Sequence, residues 1–139
     1  MSMITIYTDG TITHNPGGLG RGGWVRVGED EVHLTKIYSG NGNTSNRMEL
    51  IGIIDALVNQ PDDSEITIFT DSQYCVKVFK KSTIGSRNKD LVMCLKEAAK
   101  LHKSVCVQWV RGHNGSKYNE MVDKAIKIKR KKKKKKNLI

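Results

Sequence analysis

Ile66-Thr67-Ile68-Phe69-Thr70-Asp71-Ser72 reads as a strand that ends in a carboxylate and hands over to a helix cap. Its apolar and β-branched residues favour an extended, half-buried segment, and Ser72 is a hydroxyl able to cap the next helix. Ile4-Thr5-Ile6-Tyr7-Thr8-Asp9-Gly10 is nearly the same phrase. A carboxylate at the end of a buried strand is a poor choice for stability and a good one for holding a divalent cation. Two more acids join them as candidates, Glu49 and Asp123. If all four converge, they repel one another unless cations neutralise them.

Working outward from these phrases, Met3–Asp9 is the first predicted strand. A glycine-rich loop over Thr11–Gly23 comes next. Trp24–Val27 and Val32–Tyr38 alternate apolar and polar residues around Gly28-Glu29-Asp30, the pattern of an antiparallel hairpin. Ser45 or Thr44 can cap a helix over Asn46–Asn59, whose Leu50, Ile53, Ile54 and Leu57 recur at helical spacing. Glu49 lies one turn in, at the edge of that stripe, so it can point toward the sheet. Pro61-Asp62-Asp63 breaks the chain before the strand Glu65–Thr70. Ser72 then caps a short helix over Gln73–Lys80. Asn88–His102 is helical, Val105–Val110 is a strand, and a last helix starts near Asn119 with Met121, Val122, Ala125 and Ile126 on one face. Asp123 lies off that face, so periodicity alone does not bring it to the others. The order is βββαβααβα. It implies an α/β fold with a five-stranded mixed sheet, three antiparallel strands then two parallel, flanked by helices.

The 139 residues suit one domain. No apolar run approaches the roughly 18 residues that cross a bilayer. Met1 leads almost directly into a strand pattern, which leaves no room for a signal peptide, and a cytoplasmic protein is expected. The three cysteines (Cys75, Cys94 and Cys106) have no metal-ligand spacing and read as reduced thiols in or near the core. The net charge of +10 is unevenly placed. Ten of the 24 lysines and arginines lie in residues 124–136, which leaves 14 bases against 14 acids before them, a net of zero. The chain thus divides into a domain over 1–128 and a lysine-rich tail over 129–139. Like charges at that density repel and bury nothing, so the tail is expected to be disordered or a frayed helix end.

Each signal alone has an ordinary reading. Asp-Gly after a strand is a common turn, Glu49 and Asp123 are acids near helix starts, Asp71-Ser72 is a possible cap, and His113 is a loop histidine. Together the pattern is more specific. Thr8-Asp9-Gly10 with Asn15-Pro16-Gly17, Asn46-Arg47-Met48-Glu49-Leu50, Thr70-Asp71-Ser72-Gln73-Tyr74, and Trp109-Val110-Arg111-Gly112-His113 with Asn119-Glu120 and Asp123 occur in that order. Over about residues 3–128 the chain resembles ribonuclease H, type 1, the enzymes that cut the RNA strand of RNA–DNA hybrids.

The resemblance implies the ribonuclease H-like fold and a monomer acting on RNA–DNA hybrid, with no membrane partner. It implies two Mg²⁺ ions, with Mn²⁺ as a substitute. Asp9 would bridge them, Asp71 and Glu49 would complete one site, and Asp123 the other. His113 would assist proton transfer or product release. Products would carry 5′-phosphate and 3′-hydroxyl ends. Asn15, Asn46 and Gln73 would contact base edges and 2′-hydroxyls, and Thr44 and Asn88 would hold a phosphate of the DNA strand. Ser45 stands where many members have a second asparagine, and its hydroxyl could reach a 2′-OH or cap the helix. Many bacterial members also carry an extra helix and a basic, Trp-containing loop between the segments matching Tyr74 and Asn88. Here that gap is short, with Lys77, Lys80, Lys81 and Arg87 and no Trp. The chain is similar to the members lacking this handle, including domains fused to retroviral reverse transcriptases. The lysine tail could supply the hybrid affinity that a handle would give, or could be a nuclear-import-like signal, a passive solvated extension or a cloning remnant. Two other functions fit the same acids less well. They are a DNA nuclease or strand transferase of the superfamily, and a non-catalytic hybrid-binding module.

Overall fold

The computed structural model of the chain describes residues 3–112 and 116–128. His113 and the 129–139 tail lie outside the described residues. The elements are β1 (Met3–Ile12), β2 (Gly20–Arg26), β3 (His33–Leu34), α1 (Ser45–Val58), β4 (Glu65–Thr70), α2 (Gln73–Lys80), α3 (Lys89–Ala99), β5 (Ser104–Trp109) and α4 (Lys117–Ile126). Their order is the expected βββαβααβα. The sheet runs β3-β2-β1-β4-β5. β1, β2 and β3 pair antiparallel, and β1, β4 and β5 pair parallel.

Alternation along the strands divides the interior between two faces. On one face, Ile4 and Ile6 of β1, Ile66 and Ile68 of β4 and Val107 of β5 pack with Trp24. They meet Leu50, Ile53, Ala56 and Leu57 of α1, Cys75 of α2, and Val92, Leu95 and Ala98 of α3. On the other face, Val25 meets Val122 and Ile126 of α4, with Tyr7, Val32, Tyr118 and Met121 partly buried around them. Tyr7 falls between Ile6 and Thr8 and so points to this second face, as a period of two requires.

α1 differs from the amphipathic helix its sequence suggests. Met48, Ile51 and Gly52 are buried as well as Leu50, Ile53 and Leu57, because the helix lies between the sheet and α3. Thr44 is its N-cap, accepting a 3.2 Å bond from the Arg47 N–H.

Two strand limits also differ. The stretch expected to be a loop over Thr11–Gly23 contains the end of β1 and most of β2. Antiparallel pairing continues from Asp9↔Gly23 to Ile12↔Gly20. Its glycines fit a strand because α1 lies directly on them: a Cβ on Gly22 would come 2.7 Å from Gly52 Cα. Asp9 is therefore not a terminal residue of β1. It sits where β1 loses its parallel neighbour, since pairing with β4 stops at Tyr7↔Phe69. β3, expected over Val32–Tyr38, is a two-residue strand with one further bridge from Tyr38 to Gly20. Cys75 is buried as expected, but Cys94 and Cys106 are exposed. Cys94 lies beyond the buried stripe of Val92, Leu95 and Ala98, and Cys106 alternates with buried Val107 on an outer strand.

Candidate active site

β1 and β4 are adjacent and parallel, so Asp9 and Asp71 emerge side by side at the same end of the sheet. The first turns of α1 bring Glu49 against them. One carboxylate oxygen from each of Asp9, Glu49 and Asp71 lies within 4.8 Å of the others.

Gly10 makes this approach possible. A Cβ there would meet the Glu49 nitrogen at 2.5 Å and the Met48 carbonyl carbon at 2.5 Å. With no side chain in the way, the Gly10 N–H donates to Asp9 Oδ1 at 2.9 Å and to Glu49 Oε1 at 3.0 Å. A single backbone donor thus serves two carboxylates. In sequence, Asp9-Gly10 reads as a turn, and the pair's contact with a helix 39 residues away has no local signal.

The electrostatics follow from this crowding. Burial pushes the Asp9 carboxyl up to about 7, and the charges of Asp71 and Asp123 add to it. Hydrogen bonds with Glu49 and Gly10 oppose the rise. Glu49 is raised well above its ordinary value by burial first, then by the charges of Asp9 and Asp71. Glu49 Oε2 is buried without a hydrogen-bond partner. Three hard oxygen ligands within 4.8 Å of one another, with Glu49 Oε2 buried and unpartnered, fit a divalent cation.

Asp123 reaches the same neighbourhood from the opposite face of the sheet, on α4. It is near enough for its charge to act on Asp9, and its Oδ2 lies 3.7 Å from Lys127 Nζ. At the end of β5, the Trp109 indole N–H donates to the Asp71 carbonyl at 3.2 Å. The chain then turns past Asp71, where a Cβ on Gly112 would lie 2.9 Å from Asp71 Oδ2.

The remaining sequence candidates line the starts of α1, α2 and α3. The Asn15 amide donates to Ser45 Oγ at 3.1 Å, and the Ser45 N–H returns to Asn15 Oδ1 at 3.4 Å. Asn46 follows in the first turn of α1, and Gln73 opens α2 with an exposed side chain. Asn88 precedes α3 in the left-handed region, φ 54°. Its amide donates to the Tyr74 hydroxyl at 2.8 Å, and its Oδ1 accepts from Arg47 at 3.4 Å. Arg47 is itself clamped to Asp90 by bonds of 2.9 and 2.7 Å. This clamp draws Asp90 down to about 2. Sequence reading did not single out Arg47, Tyr74 or Asp90, although two of them lie inside the quoted motifs.

Among the described residues, no helix is long and apolar enough to cross a membrane. The profile of the RNase H family matches residues 1–131. The chain is 36% identical over 137 residues to the ribonuclease H of Cupriavidus metallidurans, covering 88% of this chain and 92% of that protein. It is 36% identical to ribonuclease HI of Haemophilus influenzae, covering 89% and 87%. It is 37% identical to ribonuclease H of Orientia tsutsugamushi, covering 87% and 78%. With the acids already gathered on the expected sheet, these matches settle the family, and the chain belongs to ribonuclease H.

Proposed function

We propose that this ribonuclease H hydrolyses the RNA strand of RNA–DNA hybrids at the Asp9, Glu49, Asp71 and Asp123 carboxylates, leaving 5′-phosphate and 3′-hydroxyl ends. The observation that carries the proposal is the meeting of Asp9, Glu49 and Asp71 within 4.8 Å at a partly buried site. So dense a set of acids makes sense in a phosphodiesterase that works with bound cations.

Asp9 feels the charges of both Asp71 and Asp123, and these three with Glu49 would hold two Mg²⁺ ions. When bound, the ions would lower the pKa of a water nucleophile and neutralise charge on the leaving 3′ oxygen. The protein's own part is to hold the acids where charge develops, with the Gly10 N–H fixing the rotamers of Asp9 and Glu49. His113 would assist proton transfer or product release.

Asn15 and Ser45 are joined by hydrogen bonds and present amide and hydroxyl groups together. With Asn46 and Gln73 they would read base edges and the 2′-hydroxyl that separates RNA from DNA. Thr44 and Asn88 would hold a phosphate of the DNA strand. The expected agent is a monomer in the cytoplasm whose lysine tail adds salt-dependent affinity for the hybrid.

One assay tests the reading. The protein is incubated with labelled hybrid, duplex RNA and duplex DNA, in Mg²⁺ or EDTA. Cutting confined to the RNA of the hybrid, and lost in EDTA, is expected. Cutting of duplex DNA, or binding of hybrid without cutting, would replace it with one of the two competing functions.

A further inference from the structure

α4 rests on the sheet through a small apolar patch. Val122 and Ile126 are buried against Val25, with Tyr7, Tyr118 and Met121 around them. Apolar burial is non-directional, so it resists sliding or tilting of a ten-residue helix only weakly. Polar contacts at its two ends fix it. Near the start, the Tyr118 hydroxyl accepts a 3.0 Å bond from the Gly28 N–H just beyond β2, and its ring stacks on Tyr7.

At the other end, Arg21 reaches up from β2. Its Nε donates to the Ile126 carbonyl at 2.9 Å, and its Nη2 donates to the carbonyls of Ala125 at 3.2 Å and Lys127 at 3.3 Å. These are carbonyls that a helix end leaves without intrahelical donors. Lys127 has left helical geometry, with φ −56° and ψ 128°, and α4 ends there. A guanidinium at this end also meets the negative pole of the helix.

The anchored turn bears on the site. A Cβ on Gly23 would lie 2.7 Å from Ile126 Cγ2, so Ile126 sits in the notch above Gly23. Gly23 is the cross-strand partner of Asp9. Asp123 precedes Ile126 by three residues and is its neighbour one turn earlier, at the edge of the apolar face. Lys127 links the two roles: Arg21 holds its carbonyl, and its ammonium lies 3.7 Å from Asp123 Oδ2.

We propose that Arg21 is a positioning residue for Asp123, setting the last turn of α4 over the Asp9–Gly23 pair so that the fourth carboxylate completes the cation site. The proposal rests on the reading of Asp123 as a metal ligand. Arg21 acts through α4, since its Nε and Nη2 donate to carbonyls at the end of that helix.

The test is Mn²⁺ titration calorimetry on the full chain, with thermal melts run beside it. Arg21→Met keeps the aliphatic stem and removes the donors. It should weaken Mn²⁺ binding about tenfold, the lower end of the effect seen for groups that orient metal ligands. Arg21→Lys should fall between Met and wild type. The Mg²⁺ concentration for half-maximal hybrid cleavage should move in parallel. In an Asp123→Asn background, Arg21→Met should add less than about twofold, because residues acting through one group are not additive.

An Arg21→Met protein with a lowered melting temperature and a wild-type isotherm would overturn the proposal and leave Arg21 as a structural cap. If Asp123→Asn binds Mn²⁺ normally, the ligand reading of Asp123 fails and the proposal fails with it. Weakened binding in Asp123→Asn beside an unchanged Arg21→Met removes the Arg21 proposal alone.

Discussion

The two faces of the sheet carry their acids by different means. On the broad face, Glu49 belongs to α1, a helix buried nearly all round and flanked by α3. Its approach to Asp9 is set by backbone contact at Gly10, with a shared N–H between the carboxylates. On the narrow face, Asp123 rides on α4, which buries Val122 and Ile126 and is tied down by Tyr118 and Arg21. The difference teaches that a site assembled from both faces inherits two stiffnesses. Glu49 is carried by a helix packed into the core, whereas Asp123 depends on a small apolar patch and a few polar anchors.

Removing the centre of the constellation should have the largest effect. Asp9→Asn keeps the shape and removes the charge that both sides share. Hybrid cleavage should drop to background, measured with labelled hybrid in saturating Mg²⁺. The variant should still fold, because an amide is easier to bury here than a carboxylate flanked by Glu49 and Asp71. Near-normal turnover in Asp9→Asn would show that Asp9 does not centre the chemistry.

The same crowding gives a pH dependence with a definite sign. In the cation-free protein Asp9 holds its proton up to about pH 7 when folded, against an ordinary value of 3.8. Between those values the folded state binds more protons than the unfolded state, so stability falls as pH rises from about 4 to 7. A shift of that size corresponds to on the order of 4 kcal/mol. Thermal melts in EDTA should show the decline. Added Mn²⁺ should reverse it at neutral pH, and Asp9→Asn should lessen it, with buried Glu49 keeping a residual slope. A melting temperature that rises across this window would contradict the burial argument.

Core truncations compare the faces directly. Ile53→Ala on the broad face should cost about 3 kcal/mol in denaturant unfolding. Below its melting temperature it should leave the Mg²⁺ requirement unchanged, since α1 remains pinned at Gly10. Val122→Ala on the narrow face should cost about 2 kcal/mol. Although the milder change to the fold, it should raise the Mg²⁺ needed for cleavage, because it loosens the helix that carries Asp123. Equal metal dependence in the two variants would remove the contrast in stiffness.

These contrasts mark how far the sequence is legible. Asp9 and Asp71 stand out because two β-rich phrases end in the same carboxylate, and parallel pairing of the two strands then makes them neighbours. Glu49 is legible as a residue at the edge of a helical stripe. The stripe understates α1, because burial against α3 depends on contacts with no local periodicity. The glycines of β2 read as loop because glycine is depleted in strands. Their place in the sheet follows from the closeness of α1. Asp123 lies off the apolar face of its own helix, so only the placement of α4 across the sheet brings its charge to Asp9. Arg21 is the least legible, a single arginine among glycines whose partners are carbonyls more than a hundred residues away.

The smallest predicted effect concerns how each helix is started. Thr44 and Ser72 cap α1 and α2 through their side chains, accepting from the N–H groups of Arg47 and Cys75 at 3.2 and 3.1 Å. Ser116 precedes α4 with no side-chain cap bond. Ser72→Ala and Thr44→Ala should therefore each cost about 1 kcal/mol, the usual loss when a capping hydroxyl is removed. Ser116→Ala should stay within about 0.5 kcal/mol of wild type, as for a substitution that breaks no cap. Denaturant midpoints at constant slope measure all three. A loss at Ser116 as large as that at Ser72 would mean that α4 is anchored at its N-terminus in the same manner as the helices of the broad face. The burden assigned to Arg21 at the other end would shrink accordingly.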